Sequence, residues 1–238
     1  MHEYYAKNRE TIKSKMMDDL LKRIAPELEE LCGKPYAQVL DEVWDYYETE
    51  LLERFPYIGG DDVSGTTNLT GAYCYVAMGE VLKRYGADMN LIAQLMTQSY
   101  ERKFKVPGVV RGVVGLVMGN TKLLTRVFAK RNAANAANAA VNPGSFETAT
   151  QEPPEDGYDF SYHNLVCPLA NFAAEHGYEE YMPYLCNLDY VMFGQLGVPL
   201  YREKTCASGD AYCDFKLKKG APVLAWWPPV FTQDNEFK

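Results

Sequence analysis

The sequence predicts an α+β fold, an N-terminal helical layer packed on a small antiparallel sheet with a C-terminal β-hairpin. Three observations predict it. Through the first half, apolar residues recur at spacings of three and four, which is one face of a helix. After a proline-bearing acidic loop at 151–157 the pattern changes to aromatic-rich alternation, as a half-buried strand requires. Two short runs, Pro199–Cys206 and Ala211–Leu217, then flank a Ser-Gly-Asp turn. Helices first and strands later is the order of an α+β chain, not of an alternating α/β one.

Each element follows from local pattern. Ile12, Met16, Leu20, Leu21, Ile24, Leu28 and Leu31 stripe a helix over 8–31, which Pro26 kinks or splits and Gly33 and Pro35 end. A second helix runs from Tyr36 to Arg54 through Val39, Val43, Trp44, Tyr47 and Leu51. The Gly59-Gly60-Asp61-Asp62 run and Ser64-Gly65-Thr66-Thr67 lack a Gly-Lys-Ser/Thr ending and a preceding strand, so they read as a loop and a helix start rather than a phosphate loop. Helices follow at 66–85, 89–104 and 109–131, the last basic and amphipathic. The Asn-Ala-Ala repeat at 132–140 either extends that helix or frays, because Ala favours a helix and Asn does not. Tyr158–Cys167 is a strand, Pro168–His176 and Tyr178–Leu196 are helices closed by Gly177 and Gly197, and the Trp226-Trp227-Pro228-Pro229 tail is too proline-rich for regular structure. Residues 1–150 therefore form a mostly helical region and 151–238 an α+β region, the two sharing one core.

With 47% hydrophobic and 24% charged residues, the 238-residue chain can bury a core without staples. A net charge of −8 argues against non-specific nucleic-acid binding. That charge is uneven. Residues 101–131 hold eight cations (Arg102, Lys103, Lys105, Arg111, Lys122, Arg126, Lys130 and Arg131) against Glu101, while 132–201 hold none. The basic helix reads as a solvated face or a partner for the acidic second half, with attachment to an anionic membrane the lesser reading, so a membrane partner is not expected. With no apolar leader and no apolar run of membrane-spanning length, the expectation is a cytoplasmic protein with its six cysteines reduced. The oligomeric state is not legible.

Candidate chemistry gathers in the last third. Arg202 is the first cation after the long acidic stretch, and so a candidate anchor for an anionic group. Cys186 and Asp189 are spaced i, i+3 and share a helix face, where the carboxylate can act as a base. His163 and Cys167 point to one strand face, yet about 13 Å apart. In the hairpin, Cys213 and Phe215 share a face. Asp214 then either faces away from the core or lines a pocket and pairs with Arg202 across the turn. Except for Cys206 and Cys213, the gaps between cysteines are long for a zinc site.

Cys167 after an aromatic strand, Leu185-Cys186-Asn187-Leu188-Asp189, Arg202, Thr205, Gly209-Asp210 and Cys213-Asp214-Phe215 together resemble the L-2-amino-thiazoline-4-carboxylic acid hydrolase family. The likeness covers roughly 30–220, with the distinctive motifs at 160–217. The Gly-x-x-x-Cys-x-Phe ending is also similar to small-ligand sensor domains related to vinyl reductases. The resemblance implies an enzyme that opens a small cyclic amidine or thiazoline carboxylate, in the family's case a cyclic isothiourea, with water. It implies a small-molecule substrate and no cofactor or metal. Under it, Asp189 or Asp214 does acid/base work and Cys186 or Cys213 acts as nucleophile or polariser. Arg202 holds the substrate carboxylate, with Thr205, Cys167 and His163 as further binding residues. Two other readings stand beside it: a non-catalytic ligand-binding domain with a thiol- and aromatic-lined pocket, and a thiol-ligated metal protein.

Overall fold

The computed structural model describes residues 1–118 and 120–233. The fold is α+β, and the chain divides into two compact units, Met1–Lys103 and Phe104–Lys238.

The first unit is helical. α1 (Glu3–Thr11) passes through a π-helical turn at Ile12–Met17 into α2 (Asp18–Leu21). The helix predicted over 8–31 breaks where the sequence says it must. A 3₁₀ turn at Lys22–Ile24 precedes α3 (Ala25–Cys32), so Pro26 sits in a first turn, where its missing N–H costs nothing. Gly33 ends α3 in the left-handed conformation, with φ of 64°. α4 (Tyr36–Tyr46) follows, continued by a second π-helical turn at Tyr47–Leu52. α5 (Ser64–Arg84) is buried on nearly every side, by Leu69, Tyr73, Val76, Met78 and Leu82 among others, which is why its apolar residues show no single stripe. α6 (Met89–Lys103) packs with it; Tyr75 Oη lies 2.9 Å from Ser99 Oγ, which donates to the Leu20 carbonyl.

The second unit begins with α7 (Gly108–Met118) and α8 (Thr121–Val141). α8 contains the whole Asn-Ala-Ala repeat, and the sheet explains why. Asn132 and Asn135 fall on one helix face and bond the hydroxyls of Thr148 and Thr150. Those threonines belong to β1 (Glu147–Thr150), a strand that local pattern does not reveal. β2 (Phe160–Val166) leads into α9 (Pro168–His176) and α10 (Met182–Gln195). β3 (Leu200–Tyr201) and β4 (Cys213–Leu217) complete an antiparallel sheet of order β1-β2-β4-β3.

The hairpin is shorter than its sequence suggests. β3 stops at Tyr201, and residues 202–212 form a long loop around a 3₁₀ turn at Cys206–Ser208. On the inner face of the sheet Tyr162 pairs with Phe215, Asn164 with Cys213 and Phe160 with Leu217. With Leu124, Tyr190, Val198 and Val230 these residues form the core of the unit. The C-terminal tail does pack an aromatic, over α10. A Cβ on Gly194 would stand 2.5 Å from the Trp226 ring, so only glycine admits it. Asn187 ties the strap down, donating to the Trp226 carbonyl and accepting from the Val230 N–H.

Candidate active site

β4 alternates, and its two faces carry two different charge clusters. On the inner face Arg202 runs beneath α10, with its guanidinium 5.1 Å from the Phe215 ring centre and 5.3 Å from that of Tyr190. It donates from Nη1 to Asp189 Oδ2 at 2.6 Å and from Nη2 to the Cys186 carbonyl at 2.8 Å. The predicted i, i+3 pair on α10 is thus clamped by one side chain. The cross-hairpin pairing of Arg202 with Asp214 does not occur, because Arg202 leaves β3 on the Phe215 side while Asp214 points the other way.

The electrostatics of the clamp are asymmetric. Burial works against the Arg202 charge, and Asp189, with Cys186 and Tyr190, more than offsets it, so the guanidinium is held as a cation. Burial pushes the Asp189 carboxyl above the usual carboxylate range, and Arg202 opposes that rise without cancelling it. The Arg202 side chain is 5% exposed and that of Asp189 35%. Asp189 is therefore hemmed in by protein yet open on one side, and its second oxygen takes no hydrogen bond among the described residues.

Thiols surround this pair closely enough to feel one another's charge. Burial raises the Cys186 thiol to about 12, with Asp189 and Cys213 adding to the rise and Arg202 opposing it. Burial likewise raises Cys167 to about 12, with smaller contributions from Cys186 and Cys213. Cys213 is buried on the inner face, and its Sγ accepts from the Cys206 N–H at 3.2 Å. Cys206, half-buried, behaves oppositely to the rest. A hydrogen bond from the Cys213 thiol lowers its pKa, while Cys213 itself is raised. The Cys206 thiol also reaches the Asn164 carbonyl at 3.6 Å, and the buried Asn164 Oδ1 has no partner among the described residues. Neither Cys206 nor Asn164 stood among the sequence-derived site residues. The seven-residue spacing of Cys206 and Cys213 across a turn was the available signal for the first, and nothing local pointed to the second.

The outer face is a closed network. Asp214 accepts at Oδ1 from the N–H groups of Glu203 and Lys204, at 3.0 and 2.6 Å, and its Oδ2 lies 2.9 Å from Lys216 Nζ. Lys216 also meets Glu203 at 2.8 Å and Glu155 at 3.9 Å. Burial works against the Lys216 charge, but the carboxylates outweigh it and raise its pKa. His163, opposite Asp214 in register, stacks on Tyr212 at 3.9 Å and bonds Gln151 and Glu155 through its two ring nitrogens. Thr205 caps the 206–208 turn, accepting from the Ser208 N–H, and its own N–H donates to Asp210. So Cys167, Cys186, Asp189, Arg202 and Cys213 come together on one side of β4, while His163 and Asp214 lie on the other and Thr205 in the loop between. Among the described residues no three His, Cys, Asp or Glu side chains cluster closely enough to hold a metal ion.

The sequence model of one protein family, L-2-amino-thiazoline-4-carboxylic acid hydrolase, matches residues 68–217, well over half of the chain. No curated protein and no solved structure matches it.

Proposed function

The chain belongs to the L-2-amino-thiazoline-4-carboxylic acid hydrolase family, and from that premise we propose that it hydrolyses a C–N bond of a small cyclic amidine or thiazoline carboxylate at the inner face of β4. The observation that carries this reading is the Asp189 carboxyl, raised by burial and pinned by Arg202, with one oxygen open. A carboxyl whose hold on a proton is raised in this way is a better proton acceptor than an ordinary surface carboxylate.

In this reading Asp189 takes a proton from the attacking water and returns it to the leaving ring nitrogen. Magnitudes decide against the buried thiols as nucleophiles. With their pKa near 12, Cys167 and Cys186 are thiolates in roughly one molecule in a hundred thousand at neutral pH. They lie within electrostatic reach of Asp189 or of one another and serve as neutral packing around the pair. The guanidinium nitrogens that reach Asp189 and the Cys186 carbonyl are already engaged, so Arg202 serves the carboxylate of Asp189 before that of a substrate. The partnerless Asn164 Oδ1 supports recognition of an N–H donor, such as an amidine. Asp214, with both oxygens engaged and its side chain buried, holds the 203–204 backbone in place.

The test is turnover of 2-amino-thiazoline-4-carboxylate by purified protein. Asp189→Asn is expected to lower kcat by about two to four powers of ten with the fold intact, and Cys186→Ala by less than about tenfold. Undiminished turnover in Asp189→Asn would remove the assignment.

A further inference from the structure

The outer surface of α7 and α8 is not the solvated polar face that their cations suggest. Both helices pack their inner sides on the core of the second unit, α7 through Val114 and Val117 and α8 through Leu124 and Phe128. On the reverse, Val109 is 81% exposed, Leu116 78%, Val113 56%, Val127 52% and Leu123 40%. Val109, Val113 and Leu116 are spaced i, i+4, i+7, so they form one continuous ridge. A helix that is apolar on both sides belongs inside protein or lipid. Scattered exposed valines are ordinary, but a contiguous set on two adjoining helices is an interaction surface.

Charge identifies the occupant. No Asp or Glu occurs from Arg102 to Phe146. Lys105, Lys122, Arg126 and Lys130 are exposed around the apolar ridge and make no ion pair among the described residues. Arg111 and Arg131 are turned to other work, Arg111 donating to Gln195 and Arg131 lying over Phe128 and Tyr162. Two copies meeting through this ridge would bring eight unneutralised cations together. An anionic surface neutralises them. α7 has eleven residues, about 16 Å of helix, half of what a bilayer core requires. Among the described residues no helix is long and apolar enough to cross a membrane. Not long and apolar enough to span, and carrying an apolar ridge flanked by cations, α7 and α8 fit helices that lie in the headgroup boundary.

We propose that α7 and α8 dock the protein on a membrane surface bearing anionic headgroups, the valines and leucines entering the boundary and the four cations meeting the headgroups. The overall charge of −8 opposes attachment elsewhere on the molecule and makes this contact strongly dependent on salt.

Co-sedimentation of the full chain with vesicles tests it, using phosphatidylcholine alone and phosphatidylcholine with one-third phosphatidylserine. The full chain is expected to sediment with the anionic vesicles only, and to be released by molar salt. Lys122→Glu with Arg126→Glu and Lys130→Glu is expected to weaken binding on the order of a hundredfold. Val113→Asp with Leu116→Asp keeps every cation and is expected to abolish binding; both positions are exposed, so folding, checked by circular dichroism, is retained. Equal sedimentation with the two vesicle types overturns the proposal. So does undiminished binding by the Val113→Asp, Leu116→Asp protein, which would mark a purely ionic surface for a polyanion. A full-length dimer by light scattering that these two substitutions dissociate, with no lipid binding by either form, overturns it in favour of a second copy on the ridge.

Discussion

The two faces of β4 bury charge in opposite ways. On the inner face one cation meets one carboxylate, and the carboxylate keeps an oxygen open and 35% of its side chain exposed. On the outer face Lys216 faces three carboxylates, and Asp214 spends both oxygens on the backbone and on that lysine. A buried polar network that is fully satisfied rigidifies, whereas one left with a free group has capacity for chemistry. The strand places adjacent residues Cys213, Asp214 and Phe215 in both worlds, and closure of the hydrogen bonds separates the structural carboxylate Asp214 from Asp189, the one proposed for the chemistry.

The largest expected effect on stability belongs to the closed face. Asp214→Ala leaves Lys216 short of its one buried carboxylate partner and two backbone N–H groups unpaired, and should cost about 3–4 kcal/mol in urea unfolding. A loss below about 1 kcal/mol would break the distinction between the faces. Arg202→Met comes next, at about 2–3 kcal/mol, less than for a wholly buried pair because Asp189 reaches solvent. The same variant sharpens the proposed chemistry. The guanidinium favours the charged form of Asp189, so its removal raises that carboxyl further, and the acid limb of kcat/KM moves to higher pH. A limb that stays in place would mean that another group titrates.

Thiol reactivity is a finer test. At neutral pH iodoacetamide should label Cys206 first, because its pKa is lowered, while Cys167 and Cys186, near 12, lag by orders of magnitude. Cys213→Ala removes the hydrogen bond to Cys206 and should slow that labelling; equal rates at all sites, followed by peptide mass spectrometry, would contradict the arrangement. The smallest effect is expected for Glu155→Gln, which loses a partly exposed contact with His163 and a long one with Lys216, below about 1 kcal/mol.

Much of the frame was legible. Helices with an apolar stripe, the break near Pro26, the aromatic strand and the shared face of Cys213 and Phe215 all follow from local period. So does the i, i+3 pairing of Cys186 with Asp189. β1 was not legible, because four residues of Glu-Thr-Ala-Thr carry no apolar alternation and owe their place to the asparagines of α8. The exposed ridge of α7 was hidden for a related reason, since composition counts valines and cannot say which of them the core takes.

By itself the sequence determined the element types, the family and the roster of chemical groups in the last third, because these depend on period and residue identity. Tertiary structure alone decided the partners. It sent Arg202 to Asp189 and Asp214 to Lys216, because Arg202 lies with Leu200 and Phe215 on one side of the sheet while Asp214 and Lys216 take the other. Which charge meets which is a matter of a few ångströms through space, and spacing along the chain carries no record of it.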